Sequence, residues 1–224
     1  MATATIAGPA LSTGTTLRNV DWETYCKLRD EPANDQVRMT YLDGDLTIMS
    51  PEIRHDGNSR RLLYVVTVVA RACRIEFEPI GTTTLRREGR APRQGAGKEP
   101  DEGFYLGEDA VRIKDNDDLN LAVDPPPSLA IEVDNKADSE QALPTYARIR
   151  VPEVWRYDVR HHTLWFGRLA GEGYDEIDRS PGLPRLTPSL VLQALEARTG
   201  GMSTLAWLDW LDRWARGLPD PPAA

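Results

Sequence analysis

The chain has 224 residues and a mass near 25 kDa, enough for one domain with a proper core, or for one domain and a small appendage. With 28% charged and 40% hydrophobic residues, most of it is expected to fold. A net charge of −8 argues against a protein that coats DNA by bulk electrostatics, but not against an enzyme that gathers acids to hold a metal. No apolar run approaches the roughly 20 residues that span a bilayer. Residues 1–17 lack the charged-then-apolar order of a secretory signal. Cys26 and Cys73 form no CxxC and, with three histidines, cannot supply a standard structural zinc set. These features lead to the expectation of a reduced, cytoplasmic protein without membrane contact.

Residues 1–17 read as a flexible arm. Val20 to Leu28 form a short helix by spacing, with Asp21 as N-cap. Arg38–Leu42 and Asp45–Met49, joined by Asp43-Gly44, carry a hairpin signature. The segment from Asp56 to Arg74 is rich in β-branched residues, yet Arg60, Tyr64, Thr67, Arg71 and Arg74 recur every three or four positions. That polar stripe marks a long, largely buried helix, with Asp56 as its expected N-cap. Residues 86–99, rich in Arg, Gly and Pro, are expected to be a loop. A strand starting near Pro100 and running to Leu106 follows, and then a polar, solvated stretch over 107–128. Leu129–Asp134 is a strong strand, and a short helix carrying Tyr146 comes next. Val154–Asp158 and Thr163–Phe166 read as paired strands turning at Arg160–His162. Two C-terminal helices, near Ser189–Arg198 and Ser203–Trp214, are separated by Gly200-Gly201. The order predicts an α/β or α+β domain with a central mixed sheet.

The chemistry concentrates in Pro100-Asp101 and in Ile131-Glu132-Val133-Asp134. Strand alternation sends Leu129, Ile131 and Val133 to one face, and Glu132, Asp134 and, if the strand continues, Lys136 to the other. Carboxylates repeated on one face repel one another and resist burial, and a divalent cation relieves both costs. Exposed acids on an edge strand fit the same spacing. The surrounding charge is uneven, with 10 Lys/Arg against 4 Asp/Glu over residues 54–98, and 3 against 13 over residues 99–140. A basic segment feeding an acidic one suits a metal site that serves a phosphate backbone, although two solvated faces give the same pattern.

The Pro-Asp followed by a Glu in an apolar strand resembles the PD-(D/E)XK nuclease superfamily. More closely, the chain resembles the Uma-type restriction-endonuclease-like proteins of bacteria. The resemblance rests on Thr40-Tyr-Leu-Asp-Gly44, Met49-Ser-Pro51 with His55, and Glu99-Pro-Asp-Glu-Gly-Phe-Tyr105. It continues through Asp124-Pro-Pro-Pro127, Ile131-Glu-Val-Asp134, Leu143-Pro-Thr-Tyr-Ala147 and Val151-Pro-Glu-Val-Trp-Arg-Tyr-Asp158. These blocks cover roughly residues 35–190 and imply a restriction-endonuclease-like core; the expected division of the chain is a nuclease domain over 18–190, a helical extension over 191–216 and a flexible tail over 217–224. Further implications are a Mg2+ ion (Mn2+ as substitute) and DNA as partner; a homodimer is expected because a two-fold pair is the simplest way for one site per chain to cut both strands. Asp101 and Glu132 would be metal ligands, with the Val133 carbonyl and Asp134 as additional donors.

One departure stands out. The family's lysine sits on the helix four residues before the tyrosine that matches Tyr146, and here that position is Ala142. Lys136 shares the face of Glu132 and is the expected substitute, but four strand residues span roughly 13 Å, so it must fold back. The alternative is a nuclease-fold binding or assembly protein that no longer cuts. His55 is a candidate for the site's edge. Arg86, Arg87, Arg90, Arg93 and Lys98 are expected to form a mobile basic loop, either one that contacts phosphates or a plain solubilising one.

Overall fold

The computed structural model describes residues 15–35, 37–49, 55–116, 119–134, 142–198 and 201–221. Two sheets carry the fold. The larger places strands β4 (Phe77–Pro79), β7 (Glu102–Leu106), β8 (Leu129–Asp134), β9 (Glu153–Asp158), β10 (Thr163–Ala170) and β11 (Gly173–Glu176) in the order β11-β10-β9-β8-β7-β4. Only β8 and β9 run parallel, so the sheet is mixed, as expected. The helix α4 (Leu143–Ile149) lies within their crossover. β8 is central rather than an edge strand, and all six of its residues are buried.

One face of this sheet is apolar in the plain sense. Leu129, Ile131 and Val133 pack there with Phe104 and with Trp155 stacked on Phe166 at 4.2 Å. Helices α2 (His55–Cys73), α5 (Pro188–Glu196) and α6 (Thr204–Arg216) cover them. In α2 the stripe holds, since Arg60, Tyr64 and Arg71 are exposed while Leu62, Val65, Val66 and Val69 are buried. The helix already includes His55, so Asp56 lies inside it and is not its cap. In α6 the Ser203 side chain caps the first turn, and Trp207 is fully buried, its indole N–H donating to the Ala194 carbonyl at 3.0 Å. Among the described residues no helix is long and apolar enough to cross a membrane.

The smaller sheet differs from the sequence expectation. Its order is β1-β3-β2-β6-β5, built from β1 (Thr15–Leu17), β2 (Arg38–Leu42), β3 (Asp45–Met49), β5 (Leu85–Glu88) and β6 (Gly95–Lys98). The β2–β3 hairpin falls where the Asp43-Gly44 turn requires, both turn residues having positive φ. Thr15–Leu17, assigned to a flexible arm, pair with β3. The segment assigned to a loop over 86–99 is a second hairpin, with only its tip irregular. Its glycines are required by packing. Helix α1 (Trp22–Asp30), capped by Asp21 as expected, lays Trp22 and Tyr25 across the sheet beside Tyr41. A Cβ at Gly97 would overlap the Tyr25 hydroxyl and ring. The stretch 107–128 likewise contains a short helix, α3 (Glu108–Ile113), which buries Ala110 and Ile113.

A buried carboxylate ties the far end of β9 to the segment before α5. Glu153 accepts from the Trp155 indole at 2.6 Å and from the Gly182 amide at 3.3 Å. Burial pushes its pKa from 4.5 up to about 7, against the pull of those donors.

Two outcomes test this packing. Gly97→Ala should lose about 1–3 kcal/mol through overpacking against Tyr25. Gly57→Ala, on an open helical surface, should gain about 0.5–1 kcal/mol; thermal melts of both variants read the opposite signs. For Glu153, the raised folded pKa contributes stability that is complete below about 4.5 and lost as pH rises through about 7. Denaturant unfolding at pH 5 and pH 8 should therefore show a smaller pH difference in Glu153→Gln than in the wild type, and an equal difference would contradict the assignment.

Candidate metal and nucleolytic site

The site forms where β7 ends beside the still-continuing β8. Asp101, just before β7, donates its amide to the Ile131 carbonyl at 3.1 Å, and its Oδ2 accepts the Val133 amide at 2.8 Å. The last ladder position is thus closed by a side chain, which anchors the Asp101 carboxylate beside β8. Glu132 faces away from the α2 layer, toward α4. Its Oε1 accepts a short hydrogen bond from the Tyr146 hydroxyl and lies 3.3 Å from the Lys98 ammonium. The same ammonium stands 5.8 Å from the centre of the Tyr146 ring. Burial raises the Glu132 pKa from 4.5 to about 7; Lys98 opposes that rise, the neighbouring Asp101 charge adds to it, and the Tyr146 hydrogen bond opposes it.

Lys98 is the residue that sequence reasoning misplaced. It was expected in a mobile loop, but it lies on β6 and is only 6% exposed. The signal was strand parity. Ala96 packs into the cluster containing Ala142 and Tyr146, so Lys98, two residues on, faces the same way. Gly97 and Glu99 face the other way, and Glu99 is held by Arg29 at 3.1 Å and Thr84 at 3.0 Å. The remaining basic residues scatter. Arg86 is ion-paired with Asp30 and lies over the Tyr25 ring, Arg87 is half-buried on β5, and Arg90 and Arg93 are exposed at the hairpin tip.

Asp134 is buried at the end of β8, with Arg156 at 3.8 Å. The Val133 amide is taken by Asp101. Lys136 lies outside the described residues, as does the side chain of His55. Ala142 stands at the N-cap of α4, buried in the apolar cluster with Leu85, Ala130 and Tyr146.

The donor chemistry fits a hard divalent cation. Asp101 and Glu132 bring two carboxylates to this end of β8, with the Tyr146 hydroxyl and the Lys98 ammonium both meeting Glu132 at Oε1. Among the described residues no three acidic, histidine or cysteine side chains form a closed cage. Magnesium does not require one, since one or two carboxylates with water and phosphate oxygens suffice.

Two acids and a lysine thus meet at the end of the central strand of a mixed sheet in an α/β protein. The Uma2 family model, described as "Putative restriction endonuclease", matches residues 22–203, and the chain belongs to that family. The crystal structure of a protein from Anabaena variabilis, described as a putative nuclease, is similar over 86% of this chain and 99% of its own. The two share 16% identity with a TM-score of 0.48. No curated protein matches the chain.

If the Tyr146 hydroxyl holds Glu132 Oε1, Tyr146→Phe removes a donor that favours the carboxylate, and the Glu132 pKa should rise further. Carbon-detected NMR titration of the glutamate side chains reads this. An unmoved titration would mean that the hydroxyl does not carry the contact.

Proposed function

We propose that the protein is a Mg2+-dependent DNA endonuclease in which Asp101 and Glu132 hold the metal. The observation that carries this reading is the convergence of Asp101, Glu132 and a buried ammonium at one end of β8. Apolar side chains would fill such a place with less desolvation cost, so the arrangement calls for a charged ligand. The metal would supply Lewis-acid stabilisation of a phosphoryl oxygen. The protein's part is to fix the carboxylates: Asp101 through the Val133 amide, and Glu132 through Tyr146. Asp134 and the Val133 carbonyl are further candidate donors, and Lys136 remains a candidate cation. The exposed Arg90 and Arg93 remain candidates for phosphate contacts without sequence choice.

The competing reading, a nuclease-fold binding or assembly protein that has ceased to cut, rests on Ala142. The placement of Lys98 weighs against it, because Glu132 keeps a cation in contact.

Supercoiled plasmid with Mg2+ or Mn2+ tests the proposal. Asp101→Asn can still accept the Val133 amide, so it should fold normally while losing cleavage by about 100-fold or more. Full cleavage by this variant, or cleavage by the wild type in excess chelator, would remove the proposed site. The product also bears on assembly. A two-fold dimer, the simplest way for one site per chain to cut both strands, would yield linear DNA, whereas nicked circles alone would argue against it.

A further inference from the structure

We propose that Lys98 is the working cation of this site, supplied by β6 in place of a lysine on α4, so that Ala142 marks a relocation rather than a loss. The inference rests on the nuclease reading and adds a catalytic residue to it. Lys98 is buried, 3.3 Å from Glu132 Oε1 and over the face of Tyr146. Position 142 is buried in the apolar cluster that also holds Ala96, two residues from Lys98, and Tyr146. A lysine rooted at 142 would therefore start in the apolar cluster that β6 also enters at Ala96, two residues before Lys98. Two ammonium groups there would repel each other, and one suffices.

The orientation of Lys98 is held from behind. Glu99, facing the other way, is pinned by Arg29, which itself donates to the Val37 carbonyl at 2.6 Å. A slip of β6 by one residue would bury Glu99 beside Glu132 and expel the lysine, and that grip opposes the slip. In hydrolysis the water oxygen forms a bond to phosphorus, and the bond from phosphorus to the leaving sugar oxygen breaks. The proton released by water passes to solvent, and solvent protonates the departing oxygen. Lys98 neither gives nor takes a proton in these steps. Its ammonium orients the water and opposes the negative charge that builds on the phosphoryl oxygens, a preorganised electrostatic role.

The test compares wild type, Lys98→Met and the double variant Lys98→Met with Ala142→Lys, by plasmid cleavage and by Mn2+ titration followed with electron paramagnetic resonance. Methionine keeps the unbranched apolar stem, one atom shorter, and removes the charge. Lys98→Met should cut about 100-fold more slowly yet bind Mn2+ about tenfold more tightly, because a neighbouring positive charge has gone. Restoring a lysine at 142 should recover at least part of the lost cleavage. If Lys98→Met proves unfolded, Lys98→Gln, which can still hydrogen-bond Glu132, takes its place. Wild-type cleavage that survives loss of Lys98 would overturn this proposal and leave the nuclease reading standing. A wild type that binds Mn2+ but does not cut would defeat the nuclease reading, and the Mn2+ affinities would still decide whether Lys98 faces the ion. Unchanged affinity, or no Mn2+ binding at all, would overturn the proposal.

Discussion

The contact on which the site depends is the one between Glu132 and its two donors, Lys98 and Tyr146. A carboxylate in the middle of a central strand, with packed layers on both faces, loses most of its hydration. The raised Glu132 pKa reflects that loss. One ammonium and one hydroxyl partly restore it, and they do so on a single oxygen. A buried ion pair seldom stabilises a fold more than well-packed apolar side chains of similar volume would. Keeping this cluster therefore makes more sense for ligand chemistry than for stability.

The ladder around β8 explains why the acids meet there. The β7–β8 pairing reaches Glu102 opposite Ile131, while β8 runs on to Asp134 beside Asp158 of β9. Just where β7 falls away, Asp101 turns its side chain onto the Val133 amide and completes the pairing that a further strand residue would have made. Asp101 thus replaces a backbone acceptor and presents a second carboxylate to the site. The apolar face of the same strand, sealed by α2 and by Trp155 on Phe166, holds the register that keeps Glu132 on the α4 side.

Much of this was legible in the residues. The hairpin at Asp43-Gly44 follows from turn chemistry, the long helix from its polar stripe, and β8 with its two faces from alternation. The β5–β6 hairpin was not legible, for a physical reason. Gly95-Ala-Gly-Lys has neither β-branched residues nor alternation, and its strand geometry is imposed from outside by Trp22 and Tyr25, whose rings occupy the space that side chains would need. Missing that strand hid the direction of Lys98, since parity is defined only once the strand exists. The helix over 108–113 was obscured in the same way: its polar composition suits a solvated loop, and only the packing of Ala110 and Ile113 against Tyr105 gives it a buried face.

The two sheets divide the site between them. Glu132 comes from the larger, Lys98 from the smaller, and α4 with Tyr146 lies at the seam, where Leu85 and Ala96 of one sheet meet Ala130 and Val154 of the other. An ion pair between Arg148 of α4 and Asp43 of the β2–β3 turn spans the same seam at 3.2 Å. It is exposed, so it contributes little energy of its own. The apolar cluster beneath must then hold the ammonium and the carboxylate in register. A lysine on α4 would instead reach the acids from the helix of the β8–β9 crossover, which itself packs against β2, β5 and β6. With the cation on β6, the geometry of the site depends on how the two sheets dock, and the aromatic packing of Trp22, Tyr25 and Tyr41 behind β6 becomes part of what positions the charge.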